Sequence, residues 1–165
     1  MKIRGFAHAD VEAVLEIQNL CPEIAQWSAW DYDRVARGEF KGSQVAGAAS
    51  LGDQTGWIAR EGFELTGFLI ARRILQDLEI LNFAMRPEAR RQGTGSALLR
   101  EALEWGNSFK AEKAFLEIRA SNQSALRFYA RFGFEVTGRR PRYYTAPVED
   151  ALLLTANLPI APHNQ

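Results

Sequence analysis

Glu117 stands in the middle of the apolar run Ala114-Phe115-Leu116-Glu117-Ile118-Arg119. A carboxylate partly removed from water has its pKa raised toward neutrality, and can then take a proton from an amine whose own pKa is about 8. The spacing suits an ion pair with Arg119 equally well, two residues on and on the same strand face. Tyr129 follows in a helical stretch; its phenol can donate a proton to a leaving group, or be one more core aromatic beside Phe128 and Phe132. Glu79 is a second carboxylate near a strand start and the alternative base. His8 and His163 lie near the two ends with no triad partner. A single cysteine, Cys21, excludes an internal disulfide and a cysteine zinc cage, and no metal-ligand spacing exists.

A second chemical feature is the run Arg90-Arg91-Gln92-Gly93-Thr94-Gly95-Ser96. The apolar stretch Leu78 to Met85 before it reads as a strand, and Pro87 stops pairing there. After it, Leu98, Leu99, Ala102, Leu103 and Trp105 recur at helical spacing, which predicts a helix from about Gly93 to Asn107. Glycine lets the turn point several N–H groups outward, and the orphan amides and dipole of the new helix make an anion cradle. Arg90 and Arg91 add charge at its rim. The physical reading is a pyrophosphate site; the alternative is a tight turn with glycines for packing. A nucleotide module ranks below both, because Leu98 stands where a third glycine would and no Gly-Lys-Ser/Thr follows.

The elements that must hold these groups follow from patterning. Lys2 to Phe6 reads as a strand, and Asp10 as the cap of a helix to about Leu20 with Val11, Val14, Leu15 and Ile17 inward. Cys21-Pro22 ends that helix, and a second covers Ser28 to Arg37. Trp27 and Trp30 between them either pack helices on the sheet or wall a substrate groove. Gly42 to Gly56 reads as a mobile loop. Strands are expected at Trp57 to Arg60, Leu65 to Arg73, Leu78 to Met85 and Ala114 to Arg119. Asn122 caps a helix that Gly133 ends as a C′ glycine, with Phe134 next. Phe134 to Gly138 and Ala151 to Ala156 read as closing strands around a loop from Arg139 to Glu149, and the tail from Pro159 as frayed. This order argues for one α/β domain spanning 1–165, a mixed sheet with helices on both faces. A formal net charge of zero gives no global attraction to nucleic acid or acidic lipid. With no signal peptide and no long apolar run, a cytoplasmic protein is expected.

The pattern Arg90-x-x-Gly93-x-Gly95 after an apolar strand resembles the acyl-CoA signature of the GNAT superfamily of N-acetyltransferases. The resemblance implies a mostly antiparallel sheet and acetyl-CoA as co-substrate, its pyrophosphate on the amides of about Arg91 to Ser96. Its pantetheine arm would lie along Phe83, Ala84 and Met85. The more specific run Phe115-Leu116-Glu117-Ile118-Arg119-Ala120-Ser121-Asn122, with Ala125, Tyr129, Gly133-Phe134 and Tyr143-Tyr144, is similar to the bacterial ribosomal-protein-alanine N-acetyltransferases over about Gly67 to Pro159. That implies Glu117 as proton acceptor, Tyr129 as proton donor, Asn122 at the cofactor, and Tyr143 and Tyr144 beside a peptide groove that Trp27 would also line. The implied reaction is direct transfer to a protein N-terminal α-amine, a ribosomal protein being one candidate, with no metal, nucleic acid or membrane partner. A small-molecule amine as acceptor, or a non-catalytic acyl-CoA-binding module, are the alternatives.

Overall fold

The computed structural model describes residues 1–38 and 53–160. Its elements run β1 (Lys2–Gly5), α1 (Val11–Asn19), α2 (Ala29–Ala36), β2 (Gln54–Glu61), β3 (Glu64–Ile74), β4 (Asp77–Met85), α3 (Thr94–Ser108), β5 (Lys113–Arg119), α4 (Gln123–Ala130), β6 (Glu135–Thr145) and β7 (Val148–Asn157). The strands form one sheet in the order β1-β2-β3-β4-β5-β7-β6. Every neighbouring pair is antiparallel except β4–β5. The mixed, mostly antiparallel sheet is as expected.

Strand alternation divides the core in two. On β3, Phe68 and Ile70 face α1 and α2, joining Val14, Ile17, Tyr32 and Val35. Leu69 and Ala71 face the other way and meet Leu98, Leu99, Ala102 and Tyr129 from α3 and α4. Both faces of the central strands are therefore covered, which is why β3 and β4 read as nearly continuous apolar runs.

Three expectations need correction. The Gly42–Gly56 loop lies outside the described residues up to position 52, but Gln54 to Gly56 belong to β2 and pair with Arg72, Ala71 and Ile70. Gly56 is there for closeness: a Cβ on it would come within 2.5 Å of Ile70 Cδ1. The Arg139–Glu149 loop is mostly strand, since β6 runs on to Thr145 and β7 begins at Val148. As the sheet edge β6 is polar and mostly exposed, so it lacks the apolar signal. An irregularity between Arg140 and Tyr144 takes up Pro141, Arg142 and Tyr143. Asp10 sits at the start of α1 without capping it. Its carboxylate accepts instead from Arg4 Nη1 and Nη2, both at 2.7 Å, and from the Ala7 amide at 2.9 Å. That fastens β1 to the helix.

The other ends match their chemistry. Ser28 caps α2, accepting from Asp31 N at 3.3 Å while the Asp31 carboxylate accepts from Ser28 N at 2.9 Å. Gly133, at φ +80°, closes α4 with Phe134 N donating to Tyr129 O and Gly133 N to Ala130 O. The tail from 161 onward lies outside the described residues.

Candidate active site

The site exists because β4 and β5 pair over only three residue pairs, Asp77–Lys113, Leu78–Ala114 and Glu79–Phe115. Beyond them no ladder pairs are formed, and a cleft of about 980 Å³ opens between the strands. Part of the cause is local to β4. Opposite β3, Asn82 pairs with Ile70 and Ile80 with Ala71, so Leu81 is an extra, bulged residue. The bulge switches which face each side chain takes, turning Leu81, Asn82 and Ala84 toward α1 and α2.

The open edge of β4 is polar in a defined way. Arg86 N donates to Thr66 O on β3 at 2.8 Å. Backbone groups of successive strand residues point to alternate sides, so those of Ala84 face β3 while those of Phe83 and Met85 face the gap. Arg90 Nε (3.2 Å) and Cys21 Sγ (3.5 Å) both donate to the Met85 carbonyl. Phe83's amide pair and the Met85 N–H thus present a strand edge that an extended chain of amides can join.

At the end of that edge comes the glycine turn. Gly93 has φ +83° and no atom within 4 Å of where its Cβ would be, so glycine serves the backbone angle there and not the space. The first helical bond of α3 is Ala97 N to Gly93 O, and Gly93 supplies no side-chain cap. The orphan amides at this helix start therefore have no capping side chain and suit an anion. Arg91, Gly93, Gly95 and Ser96 line the cleft. Gln92 turns its amide back to donate to Glu88 O at 3.1 Å, and Thr94 is buried, so these two offer backbone and not side chain. Arg90 lines the cleft too, but its guanidinium is a strap, donating to Glu23 Oε1 at 3.0 Å and Cys21 Sγ at 3.2 Å.

Across the gap, Glu117 projects from β5 into the cleft. Its partner is not Arg119. Arg140 Nε on β6 lies 2.7 Å from Glu117 Oε1, while Arg119 pairs with Glu149 at 3.2 Å. Tyr143 hydrogen-bonds Glu117 as well, and the nearby carboxylate raises the Tyr143 pKa. Burial, with Glu117 as the lesser cause, pushes Tyr144 up to about 12. Glu79, on the same face, is held by Arg72. Its pKa is raised by burial, against the attraction of Arg72 and with a contribution from Glu117. Tyr129 on α4 is 5% exposed, ringed by Phe83, Phe128 and Phe134, and lines the cleft. Burial raises its pKa, so it holds its proton at neutral pH. Asn122 caps α4 through Oδ1, which accepts from Ala125 N at 3.1 Å, and also lines the cleft.

One cleft thus holds the two strands' carboxylates, the buried phenol, the strand edge and most of the glycine turn. Tyr143, Tyr144 and Trp27 complete its walls. Trp27 lines the cleft and also packs on Tyr32, with ring centroids 5.3 Å apart. Trp30 lies elsewhere, 63% exposed under the Arg34 guanidinium. Sequence reading missed Arg140 as the partner of Glu117, although it belongs to a conspicuous arginine cluster. It also missed Asn82 and Gln18, whose polar side chains in apolar segments were the available signal. Among the described residues no group of three His, Cys, Asp or Glu could hold a metal, and no helix is long and apolar enough to cross a membrane.

A model of the acetyltransferase (GNAT) family matches residues 11–134. The [ribosomal protein bS18]-alanine N-acetyltransferase of Escherichia coli (strain K12) is 33% identical over 100 residues, 59% of this chain and 66% of that protein, just under two thirds of its length. The crystal structure of the ribosomal-protein-S18-alanine N-acetyltransferase from Escherichia coli superposes with a TM-score of 0.74, at 23% identity, covering 99% of this chain and 97% of that one. Arabidopsis thaliana NAA60 in complex with acetyl-CoA gives 0.78 at 19% identity, covering 95% and 98%. At these identities the structures speak for the fold.

Proposed function

This chain belongs to the GNAT family of acetyltransferases, and on that premise we propose that it moves the acetyl group of acetyl-CoA to the N-terminal α-amine of a protein, by direct transfer between two bound substrates. A protein N-terminus with a small first residue such as alanine, on a ribosomal protein, is the acceptor favoured by the resemblance to the E. coli enzyme. The setting is cytoplasmic. The observation that carries the reading is the convergence of Glu117, Tyr129 and the open β4 edge on one cleft.

Acetyl-CoA fits the residues present. Its amide-bearing arm matches the free edge at Phe83 and Met85, and its pyrophosphate matches the uncapped start of α3 at Gly93 to Ser96, with Arg91 and Asn122 beside it. Its thioester supplies an activated acetyl group and a thiolate leaving group. Glu117 accepts a proton from the acceptor ammonium, freeing the nitrogen lone pair to attack the acetyl carbon. As the N–C bond forms and the C–S bond breaks, the Tyr129 hydroxyl donates its proton to sulfur, the nitrogen gives up its remaining extra proton to water in the cleft, and that proton restores the phenol. Arg140 and Tyr143 fix the Glu117 carboxylate on the acceptor side. Glu79 is the alternative base: burial raises its pKa, and it is paired with Arg72 as Glu117 is with Arg140, so the preference for Glu117 rests on the family resemblance.

The test is acetyl-CoA consumption with three acceptors in parallel, products being located by mass spectrometry. They are an Ala-initiated peptide, the same peptide with a blocked N-terminus and an internal lysine, and a mixture of small amines. Acetylation of the α-amine alone is expected. Acetylation of the small amines alone would keep the fold and co-substrate and overturn the acceptor. Binding of acetyl-CoA with no turnover on any amine would make the chain a binding module.

A further inference from the structure

Three buried polar side chains, from three different elements, meet behind the cleft wall. Asn82 on β4 is 3% exposed, Gln18 on α1 is 4% and Tyr32 on α2 is fully buried. Asn82 Nδ2 donates to the Ala25 carbonyl at 3.0 Å and to the Tyr32 hydroxyl at 2.9 Å. Tyr32 in turn donates to Gln18 Oε1 at 2.6 Å. Gln18 then brackets Trp27, accepting from its N–H and donating to its carbonyl, both at 2.9 Å.

The donors and acceptors leave one consistent arrangement. The Ala25 carbonyl only accepts, and the Tyr32 hydroxyl has spent its proton on Gln18, so both require the Asn82 nitrogen. Burial raises the Tyr32 pKa, which keeps that proton in place. Asn82 Oδ1, by contrast, is buried with no partner among the described residues. Such an orphan is uncommon and costs stability, which argues that the two donated bonds are what the residue is for. What they hold is a stretch of irregular backbone from Ile24 to Trp27 that forms part of the wall of the cleft that Tyr143 and Tyr144 also line. Asn82 also adjoins Phe83, whose amides face the gap, so the wall is referenced to the strand that would carry the acyl group.

We propose that Asn82, with Tyr32 and Gln18, is a positioning device for the acceptor: it fixes the 24–27 wall relative to β4 and thereby sets how tightly the acceptor amine's own chain is held. The proposal rests on the acetyltransferase reading for its kinetic consequence, though not for its structural one. In Asn82→Asp, a change without loss of volume, the Nδ2 group with its two N–H donors becomes a carboxylate oxygen facing the Ala25 carbonyl and the Tyr32 hydroxyl, and the wall loses its tie. Hydrogen–deuterium exchange should then rise within residues 22–28 and stay level over β4 and α3. The KM for an Ala-initiated peptide should rise about tenfold or more, as for one unsatisfied buried group. The KM for acetyl-CoA should change less than about twofold.

A folded Asn82→Asp protein with unchanged exchange at 22–28, or with unchanged acceptor KM, overturns the proposal. An equal rise in both KM values does so too, since the residue would then be acting through the strand edge. Should Asn82→Asp fail to fold, Tyr32→Phe, which removes only the bridging hydroxyl, is measured in the same way with a smaller change expected. If the wild-type protein acetylates no peptide, the functional reading fails and the exchange result alone decides the positioning role.

Discussion

Replacing Glu117 with glutamine isolates the base while keeping its shape. Removing a positioned general base costs about 10²–10⁴ in rate. The Glu117 side chain is 21% exposed, so water can reach the same place, and a loss near 10² in turnover at pH 7 is expected. The remainder depends on pH in a calculable way. An α-amine with pKa about 8 is roughly one-tenth free base at pH 7 and nine-tenths at pH 9. Acceptor that arrives already deprotonated needs no base, so the variant should recover about ninefold relative to wild type across that interval. Stability should barely move. Arg140 loses its partner but is 60% exposed and can turn to water, and ion pairs of that kind are worth about 0–1 kcal/mol. For a chain of this size that is less than about 4 °C in Tm. Initial rates at pH 7 and 9, a titration of acetyl-CoA binding and a thermal melt suffice. Turnover within about twofold of wild type at pH 7 would refute the assignment. So would an equal deficit at both pH values, because Glu117 would then be doing something other than taking a proton.

Tyr129→Phe should lower kcat about 10²-fold with little change in the acetyl-CoA KM or in Tm, since the ring keeps its contacts with Phe83, Phe128 and Phe134; an undiminished kcat would end its role as donor. Burial alone would raise the pKa of Asp10, but the hydrogen bonds from Arg4 and the Ala7 amide outweigh it, and the net shift is downward. A depressed folded-state pKa means the carboxylate stabilises the fold above its unfolded value near 4 and loses that contribution as pH falls through the folded value. Asp10→Asn should therefore cost about 1–3 kcal/mol at pH 7, with the gap to wild type closing in urea melts at pH 3 and below; a gap independent of pH would show that charge is not the cause. Gly67→Ala would set a Cβ 2.3 Å from Met85 Sδ and 3.0 Å from the Ala84 carbonyl, so a loss of about 1–3 kcal/mol is expected by calorimetry. A wild-type Tm would mean that Met85 swings clear and the strands do not need that closeness.

How far the sequence spoke depended on whether the signal was local. Ser28, Asn122 and Gly133 act on backbone groups a few residues away, and each helix end they mark is where it was expected. β3 and β4 were legible because both faces are covered and both therefore read apolar. Past Gly138 the sequence of β6 reads as a loop because an edge strand has no such constraint, and Pro141 and Arg142 within it look like turn residues. Of the site, the turn from Arg90 to Ser96 is legible as an anion cradle from residue type and spacing, whereas Glu117 reads equally well as an ion-pair partner and Tyr129 as a core aromatic, so their catalytic roles come from the family resemblance. Partners were another matter. That Glu117 meets Arg140 and not Arg119 is decided by a hairpin more than twenty residues on, and that Arg90 points to Glu23 is decided by the fold of α1. The bulge at Leu81 leaves no mark within a short window, since it is made by pairing across the sheet. The chain of bonds from Asn82 to Trp27 joins β4 to α1 and α2 and shows in the sequence only as polar residues within apolar segments.

The brevity of the β4–β5 ladder has a consequence for traffic. Where two neighbouring strands part, the slot between them passes through the plane of the sheet, and its sides are contributed from both faces: Ile24 and Trp27 from one, Ser96 and Phe128 from the other. Two ligands can therefore approach from opposite directions and meet in the middle, neither having to back out before the other arrives. Initial-rate lines taken at several fixed concentrations of one substrate should then intersect and not run parallel. The two products can also depart by separate doors, so that spent coenzyme would compete with acetyl-CoA and the acetylated chain with its unmodified form.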